Sequence, residues 1–148
     1  MKKFKVGIQL YSIRDEMEKD MDATLKAVKE MGYDCVEFAG FFDKTAEEVK
    51  AMLDKYGLEA ISVHQGPDPW LKKGQEAIDY LKEIGVKYCA IPWYSGDDLK
   101  DPEKFEKAMK IFNDFGKALK ENGIQLLYHN HDFEFTKVDG EYVYDKIF

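Results

Sequence analysis

The stretch YHNHDFEF, Tyr128 to Phe135, holds two histidines two residues apart, with an asparagine between them and two carboxylates just after. His129 and His131 are two of the three histidines in the chain. Residues i and i+2 of an extended strand project to the same side, so both imidazoles can face one ion or one substrate. Imidazole suits zinc or manganese, and a third donor beside an open position would make a catalytic metal centre. His64 and Glu37 are the candidates for that donor. A metal that polarises a carbonyl oxygen, with a carboxylate such as Glu37 as base, moves a proton on the neighbouring carbon. Each residue also has a plainer reading. Histidines on strands can be simple hydrogen-bonding residues, His64 fits a satisfied loop histidine, and Arg14 or Lys87 can neutralise Glu37.

Such residues need strands to hold them, and five segments read as strands: KVGIQLYSI, CVEFAG, EAISVHQ, YCAIPWY and IQLLYHNH. Between them apolar residues recur at helical spacing, as in Met21, Leu25, Val28 and Met31, or Ala77, Ile78, Leu81 and Ile84. Val49, Met52, Leu53 and Tyr56 make a third face, and Phe105, Met109, Phe112 and Leu119 a fourth. Thr45 with Glu48 predicts a capping box, and Asp101 before Pro102 an N-cap with proline in the first helical position. A glycine precedes each of the last four strands, at 32, 57, 85 and 123, where a helix would stop. The pattern is a repeated βα unit of five strands and four full helices. Asp139-Gly140 between β-prone runs predicts a short hairpin near the end.

Repeated βα units imply a parallel sheet with right-handed crossovers, either open and doubly wound or curled into a barrel. Side-chain parity favours the barrel. One face of the strands is aliphatic (Val36 and Phe38, Ile61 and Val63, Ile124 and Leu126), whereas the other is small or polar. A doubly wound sheet covered by helices would be apolar on both faces. Ligands of such barrels gather at the C-terminal ends of the strands, where the inward set is Tyr11, Glu37, His64, His129 and His131. By the same parity Trp93 falls on the helix side and reads as core. Trp70, after the turn-like QGPDP, is the better aromatic wall for a sugar.

GIQLYSIRDE, GYDCVEFAG, SVH and YHNHDFEF together resemble the xylose-isomerase-like sugar phosphate isomerase/epimerase family, which shares its barrel with endonuclease IV. The resemblance runs in order through the whole chain. It implies a (β/α)8 TIM barrel that uses a divalent metal (manganese, magnesium, cobalt or zinc) to move a proton between adjacent carbons of a sugar or polyol. It also implies that Glu37, His64, His129 and His131 line the sugar and metal pocket. Together with the strand reading, Glu37 and His64 are expected to be catalytic, His129 and His131 to bind metal, and Tyr11, Trp70 and Asn130 to contact substrate. Two departures stand out. A complete barrel needs roughly 250 residues, and this sequence of 148 reads as strands one to five, a single truncated domain over 1–148. The family's later strands supply an aspartate, a histidine and a glutamate to the metal, and its fifth strand usually carries a glutamate near the position of His129.

Composition excludes other classes. With 45 % hydrophobic residues and 14 % aromatics the chain builds a real core. A net charge of −7 without a basic stripe excludes nucleic acid as the expected partner. No apolar run of bilayer length and no cleavable leader is evident, so a cytoplasmic protein is expected, with Cys35 and Cys89 as reduced core residues. An unclosed five-stranded barrel leaves two bare edges, which a homo-oligomer, a missing continuation of the chain, or a rearranged open sheet would cover. Homo-oligomerisation is the expected solution. The expected function is a metal-dependent sugar or polyol isomerase/epimerase, incomplete as one chain. The alternatives are an inactive part-barrel that binds sugar or serves in assembly, and an endonuclease IV-like hydrolase.

Overall fold

Local chemistry starts and stops the helices where the sequence marks them. The Thr45 hydroxyl accepts from the Glu48 N–H and the Glu48 carboxylate accepts from the Thr45 N–H, opening α3 (Ala46–Tyr56). The Asp101 carboxylate accepts from the Lys104 N–H and opens α7 (Pro102–Glu121). Gly57 closes α3 at φ 63°, a left-handed cap that an L side chain would strain. The computed structural model describes residues 4–148, so Lys2 and Lys3 of the lysine-rich opening lie outside it.

The remaining elements, in chain order, are β1 (Gly7–Gln9), a 3-10 turn (Leu10–Ile13), α1 (Arg14–Lys19), α2 (Met21–Glu30) and β2 (Cys35–Phe38). After α3 come β3 (Glu59–His64), α4 (Asp68–Lys73), α5 (Gln75–Ile84), β4 (Tyr88–Ile91) and α6 (Gly96–Lys100). After α7 come β5 (Gln125–Tyr128), a second 3-10 turn (Phe133–Phe135), the hairpin β6 (Lys137–Val138) and β7 (Glu141–Tyr142), and α8 (Val143–Ile147). Four helices are full-length, as the sequence predicts. The four short ones, α1, α4, α6 and α8, go unannounced in it. The Asp-Gly hairpin forms, with positive φ at both Asp139 and Gly140.

All five main strands pair in parallel in the order β1-β2-β3-β4-β5. A doubly wound sheet reverses its strand order at a switch point, whereas strictly sequential order is that of a barrel wall. The sheet is open, with β1 and β5 at its edges: a partial TIM barrel. Helices cover the convex side. Leu25 and Val28 of α2, Val49 and Leu53 of α3, Ile78 and Leu81 of α5, and Phe115 and Leu119 of α7 pack there with Val36 and Val63 of the sheet. Met31, expected on that face, is instead exposed beyond the end of α2.

Three strands end earlier than their sequence pattern suggests, and each ending has a cause. The Gln9 side chain accepts from the Tyr11 N–H and turns the chain into a 3-10 helix, which stops β1. Pro92, which has no N–H for the ladder, follows β4. In the fifth strand only one ladder bond continues past Tyr128, from the His129 N–H to the Ile91 carbonyl. The register between β2 and β3 also shifts, pairing Val36 with Ala60 but Glu37 with Ser62. This bulge moves Ala60 into the main core, against the inward position its parity suggests, and leaves Glu37 and His64 on one face at the rim.

Candidate functional site

The C-terminal ends of the five strands surround a cleft of about 790 Å³. From β1 come Gln9 and, in the turn after it, Tyr11; β2 and β3 bring Glu37 and His64, and the segments after β4 and β5 bring Trp93, His129 and His131. The inward set expected from parity is therefore assembled in one place. A second hollow of about 560 Å³ lies between Met17, Asp22, Lys44 and Glu48. Three of its carboxylates serve the scaffold, Glu48 in the capping box, Asp20 as the cap of α2 and Asp22 with Lys55 and Tyr56.

On the β1–β3 side the polar groups of three strands meet, although Ser62 Oγ of β3 is buried without a hydrogen-bond partner. His64 Nε2 lies 3.0 Å from Glu37 Oε1, and His64 Nδ1 lies 3.1 Å from Gln9 Nε2. Glu37 is thus paired to an imidazole and not to Arg14 or Lys87. Burial holds the His64 pKa below its ordinary value; the Glu37 carboxylate pulls it back up, and His129 and His131 push it further down. The His64 side chain is 12 % exposed and that of Glu37 25 %, so the carboxylate is the member that opens into the cleft.

The β4–β5 side is built differently. The His129 ring lies 4.8 Å from that of His64 and 5.1 Å from that of His131. His131 stacks on Phe133, with rings 5.4 Å apart and 8° from parallel. Behind them Glu134, fully buried, accepts from the Tyr128 hydroxyl at 2.8 Å and from the His131 N–H at 2.7 Å. Burial, with the Glu134 carboxylate beside it, pushes the Tyr128 phenol up. Glu134 thereby folds YHNHDFEF back on itself and presents both histidines to the cleft. One atom stays unsatisfied: His131 Nδ1 is buried without a hydrogen-bond partner.

Two expected substrate contacts lie elsewhere. Trp70 sits on α4 and packs against Phe115 of α7, with ring centroids 5.5 Å apart, because one face of that short helix is turned to the core. The Asn130 side chain donates to the His131 carbonyl at 3.2 Å, outside the lining of the cleft. Conversely Trp93, read as core, is 59 % exposed and lines the cleft, because Pro92 ended the strand parity from which it was placed. With Tyr11, itself 56 % exposed, it provides aromatic surface beside the polar groups of the cleft.

A metal fits this donor set only in part. His131 Nδ1 is an orphaned donor atom with His129 next to it. His64, however, has Nδ1 hydrogen-bonded to Gln9 and Nε2 turned to Glu37, and among the described residues no group of three or more His, Cys, Asp or Glu side chains is disposed to hold an ion. The two cysteines are not available either. Both are unpaired and buried, and burial pushes the Cys89 thiol up to about 12.

Known proteins with this arrangement are informative. An inosose dehydratase of Mesomycoplasma hyopneumoniae is 27 % identical over 155 residues, spanning 88 % of this chain and 52 % of the relative. The chain thus covers about half the length of the curated relatives it matches. The crystal structure of a sugar phosphate isomerase/epimerase from Parabacteroides distasonis superposes with a TM-score of 0.76 at 26 % identity, over 99 % of this chain and 61 % of that one. A xylose isomerase-like TIM barrel protein from Mycobacterium smegmatis, solved in complex with magnesium, shares the fold at a TM-score of 0.57 and 15 % identity, over 84 % of this chain and 54 % of its own. The family model described as xylose isomerase-like TIM barrel matches residues 25–142, and the chain belongs to that family.

Proposed function

We propose that the cleft binds a small sugar or polyol bearing a carbonyl, and that Glu37 takes a proton from the carbon next to that carbonyl. The observation that carries this reading is a partly buried carboxylate, oriented by His64, that opens into a cleft walled by Tyr11 and Trp93. Isomerisation, epimerisation and dehydration, the reactions named for its relatives, share this first step. The C–H electron pair becomes part of a C=C bond, the carbonyl oxygen gains the negative charge, and the proton resides on Glu37. Delivery of that proton to the former carbonyl carbon, while the neighbouring hydroxyl passes its own proton to the oxyanion, isomerises; loss of a β-hydroxyl that takes the Glu37 proton, as the oxyanion reforms the carbonyl, dehydrates. His129 and His131 lie where they can donate to the developing oxyanion.

A divalent metal belongs to this proposal only with donors additional to His129 and His131, so no step is routed through it. The test is solvent exchange. A keto-inositol or ketose incubated with the protein in D2O should gain deuterium at the carbon beside the carbonyl. Glu37→Gln should slow that exchange by roughly 10²–10⁴-fold. Exchange equal to the uncatalysed rate in the wild type rules out the chemistry. Binding without exchange points to the second reading, a sugar-binding module without turnover, which the short donor set favours. An endonuclease-like activity is disfavoured, because among the described residues no lysine or arginine lines the cleft to meet phosphates.

A homo-oligomer belongs to the same proposal. The edge strands β1 and β5 are flanked by exposed apolar residues, Val6 at one edge and Leu127 at the other. Light scattering should give at least twice 17.2 kDa, and a stable species of that single mass removes the association. A cytoplasmic location, also proposed, accords with two unpaired buried cysteines. No helix among the described residues is long and apolar enough to cross a membrane.

A further inference from the structure

The hydrogen bonds around Gln9 leave its amide a single orientation. Its Oε1 accepts from the Tyr11 N–H at 2.8 Å, so the atom 3.1 Å from His64 Nδ1 is the amide nitrogen, which only donates. His64 Nδ1 must therefore accept and carry no proton. The proton of the neutral ring then sits on Nε2, the nitrogen 3.0 Å from Glu37 Oε1. A backbone N–H in the first turn of the chain thus dictates, through two side chains, where a proton lies two strands away.

We propose that Gln9 is a positioning residue that sets the tautomer of His64, making His64 the hydrogen-bond donor that orients Glu37 and neither a base nor a metal ligand. His64 Nδ1 accepts from Gln9 and Nε2 lies 3.0 Å from the Glu37 carboxylate, so in this tautomer the ring has no lone pair free for an ion or a substrate proton. The carboxylate, more open to the cleft than the imidazole behind it, is the member of the group that a ligand meets. This assignment rests on the proposed function only for the role of Glu37 as proton acceptor. The tautomer itself follows from the hydrogen bonds alone. It also gives a reason for a glutamine in the first strand: a glutamate would set a second acceptor against Nδ1, and an apolar residue would leave the ring free to adopt either tautomer.

The test is a long-range proton–nitrogen correlation spectrum of the full chain labelled with 15N-histidine, at a pH where the rings are neutral, with His64 assigned by its absence in His64→Gln. The wild type should show His64 protonated on Nε2. Gln9→Glu should move the proton to Nδ1 or protonate both nitrogens, and Gln9→Met, of similar length and uncharged, should give a mixture, with the His129 and His131 signals reporting that the fold is kept. A wild-type ring protonated on Nδ1, or an unchanged pure Nε2–H tautomer in both variants, overturns the proposal. In the deuterium-exchange assay Gln9→Met should lower kcat about tenfold with little change in KM, since a misaligned base loses rate more than binding. If the wild type exchanges no deuterium while the tautomer is as assigned, the proposed reaction fails and the positioning role stands.

Discussion

Two glutamates near the cleft, one partly and one fully buried, are held in opposite ways. Glu37, on the β1–β3 side, leans on a side chain, His64, and keeps a quarter of its own surface open. Glu134, on the β4–β5 side, is sealed and accepts from the Tyr128 hydroxyl and the His131 backbone. The first arrangement leaves a charge facing a ligand, and the second uses a charge to shape a loop. A carboxylate that works on a substrate has to give up part of its desolvation, whereas one that only ties backbone can be fully enclosed once its donors are supplied. Each side also keeps one buried polar atom without a hydrogen-bond partner, Ser62 Oγ on β3 and His131 Nδ1 after β5. Of the two, the imidazole nitrogen belongs to a residue that lines the cleft.

The sharpest way to break this contrast is to remove Glu134. Glu134→Ala should cost about 3 kcal/mol in urea denaturation, because it leaves a buried hydroxyl and a buried N–H unpaired and opens a void. Glu134→Gln should cost only about 1 kcal/mol, since the Tyr128 hydroxyl can reverse and accept from the amide. Equal, small losses for both variants would show that Glu134 does not hold the loop. A smaller effect should come from Gly96, whose backbone is approached so closely by the Phe133 ring that an added Cβ would lie 2.8 Å from it. Gly96→Ala should destabilise by roughly 1–2 kcal/mol as Phe133 is displaced, and should disturb the His131 ring stacked on it. His64, on the other side, should give unchanged NMR signals. Shifts at His64 as large as those at His131 would mean that the two sides are not independent.

Much of the scaffold is legible in the sequence because local chemistry decides it. The Thr45–Glu48 box, the Asp101–Pro102 start and the Asp139–Gly140 turn each need only neighbours a few residues away. Strand order follows from the alternation of elements, and the convergence of Tyr11, Glu37, His64, His129 and His131 follows from parity at strand ends. Failures occur where a strand stops. Parity carried through Pro92 put Trp93 in the core, and Gln9 looked like one more strand residue although its side chain ends the strand. Trp70 was misplaced because α4 was not foreseen. Glu134 gives a faint signal, a carboxylate between two phenylalanines, but its partners depend on a turn that sequence alone does not close.

The smallest expected effect tests the β1–β3 side through pH. Burial lowers the His64 pKa in the folded chain, against the pull of Glu37 and with the push of His129 and His131. The unfolded chain, with an ordinary value near 6.5, therefore takes up a proton at a higher pH than the folded one does. Below about 6.5 the unfolded state binds more protons, so stability falls on acidification, until the folded form also protonates at its lower pKa. The contribution is fully present above about 6.5 and is limited to about 1.4 kcal/mol per pH unit for one group. Denaturation of the wild type between pH 7.5 and 5 should show this loss, and His64→Gln, which cannot titrate, should show a shallower dependence over the same range. Parallel curves for the two proteins would mean that His64 is not held neutral by its surroundings.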